Sequence, residues 1–145
     1  MALGEPVAMS RPIYETEADR ANERRVADIL LDRWRCTAVK LPRRYEIDYA
    51  LSRGNRVMAW AEVKCRTNTR EQYPTYMVAL GKVIAGLDLA QRTNLPFMLV
   101  VQWTDSLGWV TPKLDAIHIG GRHDRGDGDD EEPVAHIPIT EFKLL

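Results

Sequence analysis

Apolar residues recur at Val26, Ala27, Leu30, Leu31 and Trp34, a spacing of i, i+1, i+4, i+5 and i+8 that follows one face of a 3.6-residue period. No Gly or Pro interrupts it, so Thr16 to Trp34 predicts a helix. Glu23 stands at the edge of the apolar face, and Glu15 and Glu17 lie in or before the first turn, where a carboxylate favours the helix dipole. Three strands are predicted next. Thr37 to Leu41 is short and stops at Pro42. Tyr45 to Ser52 alternates, with Ile47, Tyr49 and Leu51 on one side and Asp48, Ala50 and Ser52 on the other. Val57 to Cys65 is apolar on both faces until Glu62. Arg53-Gly54-Asn55-Arg56 between the last two is a turn signal, which makes them an antiparallel hairpin.

A turn at Tyr73-Pro74-Thr75 leads into a second predicted helix, Thr75 to about Thr93. Its stripe is Met77, Leu80, Val83, Ile84, Leu87 and Ala90, and Asn94 is its stop. Leu95 to Trp103 is nearly all apolar, as in a central strand buried on both faces. Leu107 to Thr111 returns beside it after Asp105-Ser106. A short strand is expected over Ala116 to Ile119, a mobile acidic loop over Gly120 to Pro133, and a final edge strand over Val134 to Ile139. No internal repeat is visible. The element order is α-β-β-β-α-β with small strands appended, an α/β fold with a mixed sheet flanked by helices and a C-terminal β appendage.

The 145 residues make one domain. No apolar run reaches the length of a membrane span, and the opening MALGEPVAMSRP lacks a charged region followed by an apolar stretch, so no signal peptide is expected. Two cysteines, Cys36 and Cys65, without a C-x-x-C pattern read as reduced thiols, and the reading is cytoplasmic. His118, His123 and His136 lack the spacing of a structural zinc site. The net charge of −1 argues against simple coating of nucleic acid, but it hides an asymmetry. Residues 1–70 balance at +4 and residues 71–145 at −5; six acidic residues lie between Gly120 and Pro133. That segment does not fit the EF-hand spacing and reads as a solvated loop. The basic residues are 15 Arg and 5 Lys, a bias toward the planar fork that suits phosphate.

One group of residues changes the picture. Asp48 lies on the second strand, and Glu62 and Lys64, at i and i+2, share a face of the third. Two carboxylates brought together by a hairpin repel unless a cation lies between them, and hard oxygen ligands suit Mg²⁺ or Mn²⁺. Lysine beside the pair offsets the negative charge and orients an attacking water. Register decides whether the pair exists. A two-residue Gly54-Asn55 turn continued regularly would set Asp48 opposite Ala61, facing away from Glu62. Pairing Asp48 with Glu62 requires a three-residue Gly54-Asn55-Arg56 loop, with Arg53 opposite Val57, or a β-bulge near Asp48. The bland alternative is a solvated Glu-x-Lys on an alternating face. Trp60 on the same face and apolar neighbours disfavour it, because a charge pair in a core strand costs stability.

Asp48, thirteen intervening residues and Glu62-x-Lys64, in this hairpin and behind a helix carrying Glu23, resemble the PD-(D/E)xK nuclease superfamily of restriction-endonuclease-like and Holliday-junction-resolvase-like proteins. The resemblance covers about residues 15–104, with Ile47 where the signature has proline. It implies metal-dependent hydrolysis of DNA phosphodiesters by an endonuclease of phage or bacterial type. Asp48, Glu62 and the Val63 carbonyl would hold Mg²⁺, with Mn²⁺ as a substitute. Lys64 would position or help deprotonate the nucleophilic water. Glu23 would complete the site through the metal or a water, with Asp19 and Glu17 as competitors for its role. Arg43 and Arg44 before the Asp48 strand, Arg66 and Arg70 after Lys64, and Lys82 on the second helix are candidate DNA contacts, and Tyr73 and Tyr76 are candidate stacking residues. A homodimer would be needed to cut two strands symmetrically. The second reading is a catalytically inactive nuclease-like module that binds DNA or a protein; an RNA-directed nuclease is a third.

Overall fold

The computed structural model describes residues 17–116, 118–122 and 132–145. Glu15, Thr16, His123 and the acidic positions Asp124, Asp127, Asp129, Asp130 and Glu131 lie outside them, and with them the interior of the expected acidic loop. Helix α1 spans Glu17–Trp34 and is followed by β1 (Thr37–Lys40), β2 (Tyr49–Arg53), β3 (Arg56–Cys65) and β4 (Thr75–Ala79). Helix α2 spans Leu80–Thr93; then come β5 (Phe97–Gln102), β6 (Leu107–Val110), β7 (His118–Arg122), β8 (Glu132–Pro138) and β9 (Lys143–Leu144). The main sheet has six strands in the order β9-β6-β5-β3-β2-β1, and a second sheet of three runs β4-β8-β7. All pairings are antiparallel except β3 with β5. That parallel pair is the crossover that α2 bridges.

Alternation along β3 builds a core on each side of the main sheet. Ala59, Ala61 and Val63 face α1, where Val26 and Leu30 bury against Tyr49, Leu51 and Val100. Trp60 faces the other way, toward the layer of Val83, Phe97, Leu99, Tyr76 and Val78. α2 comes within contact of Phe97 at Gly86, where an added Cβ would lie 2.3 Å from the ring. Asn94 ends α2 in the left-handed conformation (φ 58°), which Asn tolerates better than most residues.

The structure corrects several expected boundaries. Tyr45 to Ser52 is not one strand: Arg43–Tyr45 is a 3₁₀ turn, Glu46 is left-handed (φ 63°), and the strand begins at Tyr49. Ile47 therefore packs in the α2-side core and not beside Tyr49 and Leu51. Thr75–Ala79 is a strand and not the first turn of α2. Its buried Tyr76 and Val78 have a period of two, which the helical spacing of Met77 concealed. Val134 to Ile139, expected at an edge, lies largely within β8, the middle strand of the small sheet. The strand expected over Ala116 to Ile119 runs His118–Arg122 instead, so both ends of the expected acidic loop are strand.

Candidate active site

Register brings the acidic residues together. Arg53 pairs with Arg56 around a two-residue Gly54-Asn55 turn, and Gly54 takes φ 64° where a primed hairpin turn favours glycine. Ser52 pairs with Val57, but Leu51 pairs with Ala59, so Met58 is the extra residue of a bulge. Beyond it Ala50 faces Trp60 and Tyr49 faces Ala61. Asp48 consequently falls beside Glu62 through a bulge, as expected, although the bulge lies opposite Leu51 and Ser52, nearer the turn than the expected position near Asp48. β2 stops at Tyr49, and two contacts replace the ladder there. The Asp48 N–H donates to Glu62 Oε1 (3.3 Å), and the Val63 N–H donates to Asp48 Oδ2 (3.4 Å). The Leu41 N–H holds the Asp48 carbonyl from the β1 side (2.8 Å).

Glu62 is fully buried, the one charged side chain among the described residues to be so. Lys64 Nζ lies 3.3 Å and Lys82 Nζ 3.6 Å from its Oε2, yet that oxygen has no hydrogen bond of good geometry. Burial pushes the Glu62 carboxyl above the ordinary carboxylate range, and Asp48 adds to the push; Lys64 and Lys82 pull it down without cancelling it. Burial would depress the Lys64 ammonium, but Glu62 and Asp48 outweigh it and raise its pKa. Lys82 also donates to the Glu46 carbonyl (2.6 Å), tying α2 to the left-handed residue just before Ile47 and Asp48.

Glu23 enters from α1. Its Oε1 accepts from the Tyr49 hydroxyl (2.8 Å) and from Lys40 Nζ (3.2 Å), and Lys40 Nζ lies 3.9 Å from Asp48 Oδ1. Burial, more than these partners offset, raises the Glu23 carboxyl pKa. Lys40 and the Tyr49 hydroxyl were not anticipated from the sequence. The available signal was spatial: Lys40 pairs across the ladder with Tyr49, next to Asp48.

Among the described residues, no group of three or more His, Cys, Asp and Glu converges as a cage. Mg²⁺ does not need one, since it usually takes one or two carboxylates and keeps several waters. Glu62 Oε1 lies against the Asp48 backbone, and Oε2 is buried between Lys64 and Lys82 without a hydrogen bond of good geometry; with the Asp48 carboxylate these are hard oxygens of the kind such an ion takes.

The proposed DNA contacts separate into two kinds. Arg43 and Arg44 are exposed on the 3₁₀ turn before Asp48. Arg66 is partly exposed and donates through Nη2 to the Tyr76 hydroxyl (3.0 Å) and the Met77 carbonyl (3.1 Å). Arg70 donates to the Ile139 carbonyl (3.2 Å) and leaves only 17% of its side chain exposed. Tyr76 is buried edge-on against Trp103 and Phe142, so it is a packing residue and not a stacking platform. Tyr73 is exposed. Cys65 is half-buried, and burial raises its pKa, so it is no activated thiol.

A family model described as "Phage putative PDDEXK endonuclease" matches residues 9–145. No curated protein matches the sequence at a significant level. Among solved structures, the chain is similar to Hjc, a Holliday junction resolvase from the archaeal hyperthermophile Archaeoglobus fulgidus. The TM-score is 0.53 at 12% identity, over 86% of this chain and 94% of that one. At this identity the likeness concerns the fold.

Proposed function

We propose, given that this chain belongs to the phage PD-(D/E)xK endonuclease family, that it hydrolyses DNA phosphodiester bonds at the Asp48–Glu62–Lys64 centre with the help of Mg²⁺. The observation that carries the reading is the Glu62 carboxylate, fully buried beside Asp48 with Oε2 lacking a hydrogen bond. Burial and the neighbouring Asp48 make this carboxylate costly to hold even with Lys64 and Lys82 beside it, and such a group is retained where a ligand uses it.

Asp48 and Glu62 would hold the ion, with the Val63 carbonyl as a further oxygen; Val63 turns its backbone toward Asp48 where β2 has ended. When bound, the ion supplies Lewis-acid polarisation of the phosphate and offsets the charge that develops during hydrolysis. Lys64, 38% exposed and 3.3 Å from Glu62, would orient a water and contact a phosphate oxygen. Lys82 steadies Glu62 and the Glu46 turn, a supporting part different from the DNA contact expected of it. Glu23 acts at the rim through Tyr49 and Lys40. Arg43 and Arg44 contact the DNA backbone beside the scissile bond.

The test is incubation with supercoiled, linear and four-way-branched DNA, in Mg²⁺ or EDTA, for the wild type and Lys64→Ala. Cleavage that needs Mg²⁺ and falls at least about 10²-fold in the variant supports the reading. Equal DNA binding without cleavage by either protein would favour a non-catalytic module.

A further inference from the structure

Three carboxylates meet three ammoniums around the centre: Glu23, Asp48 and Glu62 against Lys40, Lys64 and Lys82. The cluster is formally neutral before any ion or phosphate arrives. Its cations are not spread evenly. Lys64 and Lys82 flank Glu62 Oε2 on the α2 side. Lys40 is the one of the three on the α1 side, between Glu23 and Asp48.

Four constraints hold the Lys40 ammonium there. Its backbone sits opposite Tyr49 in the β1–β2 ladder, and the adjoining Leu41–Asp48 hydrogen bond fixes the register. Glu23 Oε1 accepts from Nζ, and the same oxygen is held by the Tyr49 hydroxyl. Asp48 lies at 3.9 Å, and the Tyr49 ring lies under the ammonium at 4.8 Å from its centroid. The Tyr49 face attracts a cation of this kind.

We propose that Lys40 is a built-in cation in the place where a second divalent ion would otherwise bind, so that the centre takes one divalent ion only. This rests on the metal reading of Asp48 and Glu62. A divalent ion between Glu23 and Asp48 would share its space with the ammonium. It would also raise the cluster to +4 when the Asp48–Glu62 position is filled, against one negative charge per phosphodiester. Like charges this close are unfavourable in a partly buried site. Glu23 is then a positioning residue: it holds Lys40 and leaves the ion to Asp48 and Glu62.

The test is the stoichiometry of Mn²⁺ bound to the full chain, by calorimetry and electron paramagnetic resonance. The wild type is expected to bind one ion. Lys40→Met and Lys40→Gln should each bind two, since Lys40 is 48% exposed and its replacement opens no cavity in the core. Adding Glu23→Gln to Lys40→Met should return the count to one, and Lys40→Arg should keep it there. Two ions on the wild type, or one on both neutral variants, overturns the proposal. No ion on the wild type overturns the metal reading itself, and the proposal falls with it.

Discussion

Replacing Glu62 by glutamine removes a charge that the metal-free fold holds unfavourably. Burial first, and Asp48 second, raise the Glu62 pKa above its ordinary value of 4.5. In the unfolded chain the carboxyl titrates at the ordinary value; in the fold it releases its proton only at higher pH. The folded state therefore binds more protons between the two values. The stability Glu62 contributes is fully present below the unfolded pKa and is lost as pH rises through the folded one. The slope in that window approaches about 1.36 kcal/mol per pH unit. For a chain of this size that corresponds to roughly 3–5 °C per pH unit. An amide at position 62 keeps an oxygen for the Asp48 N–H and carries no titration. Lys64 and Lys82, 38% and 33% exposed, can turn to water when the carboxylate is gone. In EDTA, thermal melts at a series of pH values rising from the ordinary carboxylate range should show Glu62→Gln gaining on the wild type as pH rises. Glu23, whose pKa burial also raises, titrates in both proteins and largely cancels in the difference. Millimolar Mg²⁺ should stabilise the wild type and not the variant. Parallel melting curves would refute the claim that this charge is costly. A wild type that gains on the variant would mean that the two lysines more than repay the burial.

Gly86→Ala drives a methyl group into the Phe97 ring and should lower stability by about 1–3 kcal/mol in chemical denaturation, although alanine is the better helix former. Deleting Met58 should leave the protein folded and active, because Ser52–Val57 and Leu51–Ala59 then become neighbouring pairs of a regular hairpin; loss of activity in a folded deletion would show that the bulge shapes the site. Arg43→Ala with Arg44→Ala should weaken DNA binding in a filter or fluorescence assay and reduce the salt slope by about 2, one for each phosphate no longer neutralised. Arg70→Met should lower the melting temperature and leave that slope unchanged, since its guanidinium holds the Ile139 carbonyl.

Short-range pattern carried much of the fold. The period of Val26, Leu30 and Trp34 located α1, and the apolar run through Phe97 to Gln102 located the central strand. Counting residues across the Gly54-Asn55 turn reduced the pairing of Asp48 with Glu62 to two possibilities, and a bulge at Met58 is the one adopted. What the sequence concealed depends on partners far along the chain. Thr75–Ala79 reads as helix until β8 supplies its ladder. Arg66 and Arg70 read from the sequence as basic residues beside the site; only the fold shows that each also gives its Nη2 to Tyr76 and Met77 or to Ile139. Lys40 has no motif of its own; its importance comes from β1 lying against β2.

The layer that covers Glu62 has a consequence for synthesis. Ala135, Ile137, Ile139 and Phe142 pack in the same core as Tyr76, Val83 and Trp103, and β8 is the partner that holds the strand leading into α2. At about 5–20 residues per second, Lys64 leaves the ribosome roughly 4–15 s before Ile137 does. Until then α2 lacks its neighbour, and Lys82 has no fixed place beside Glu62. A nascent chain thus carries its acidic residues and its Lys64 well before it can hold them in working order. The packing around the centre waits on β8, seconds after the ribosome has moved past the codons for Asp48, Glu62 and Lys64.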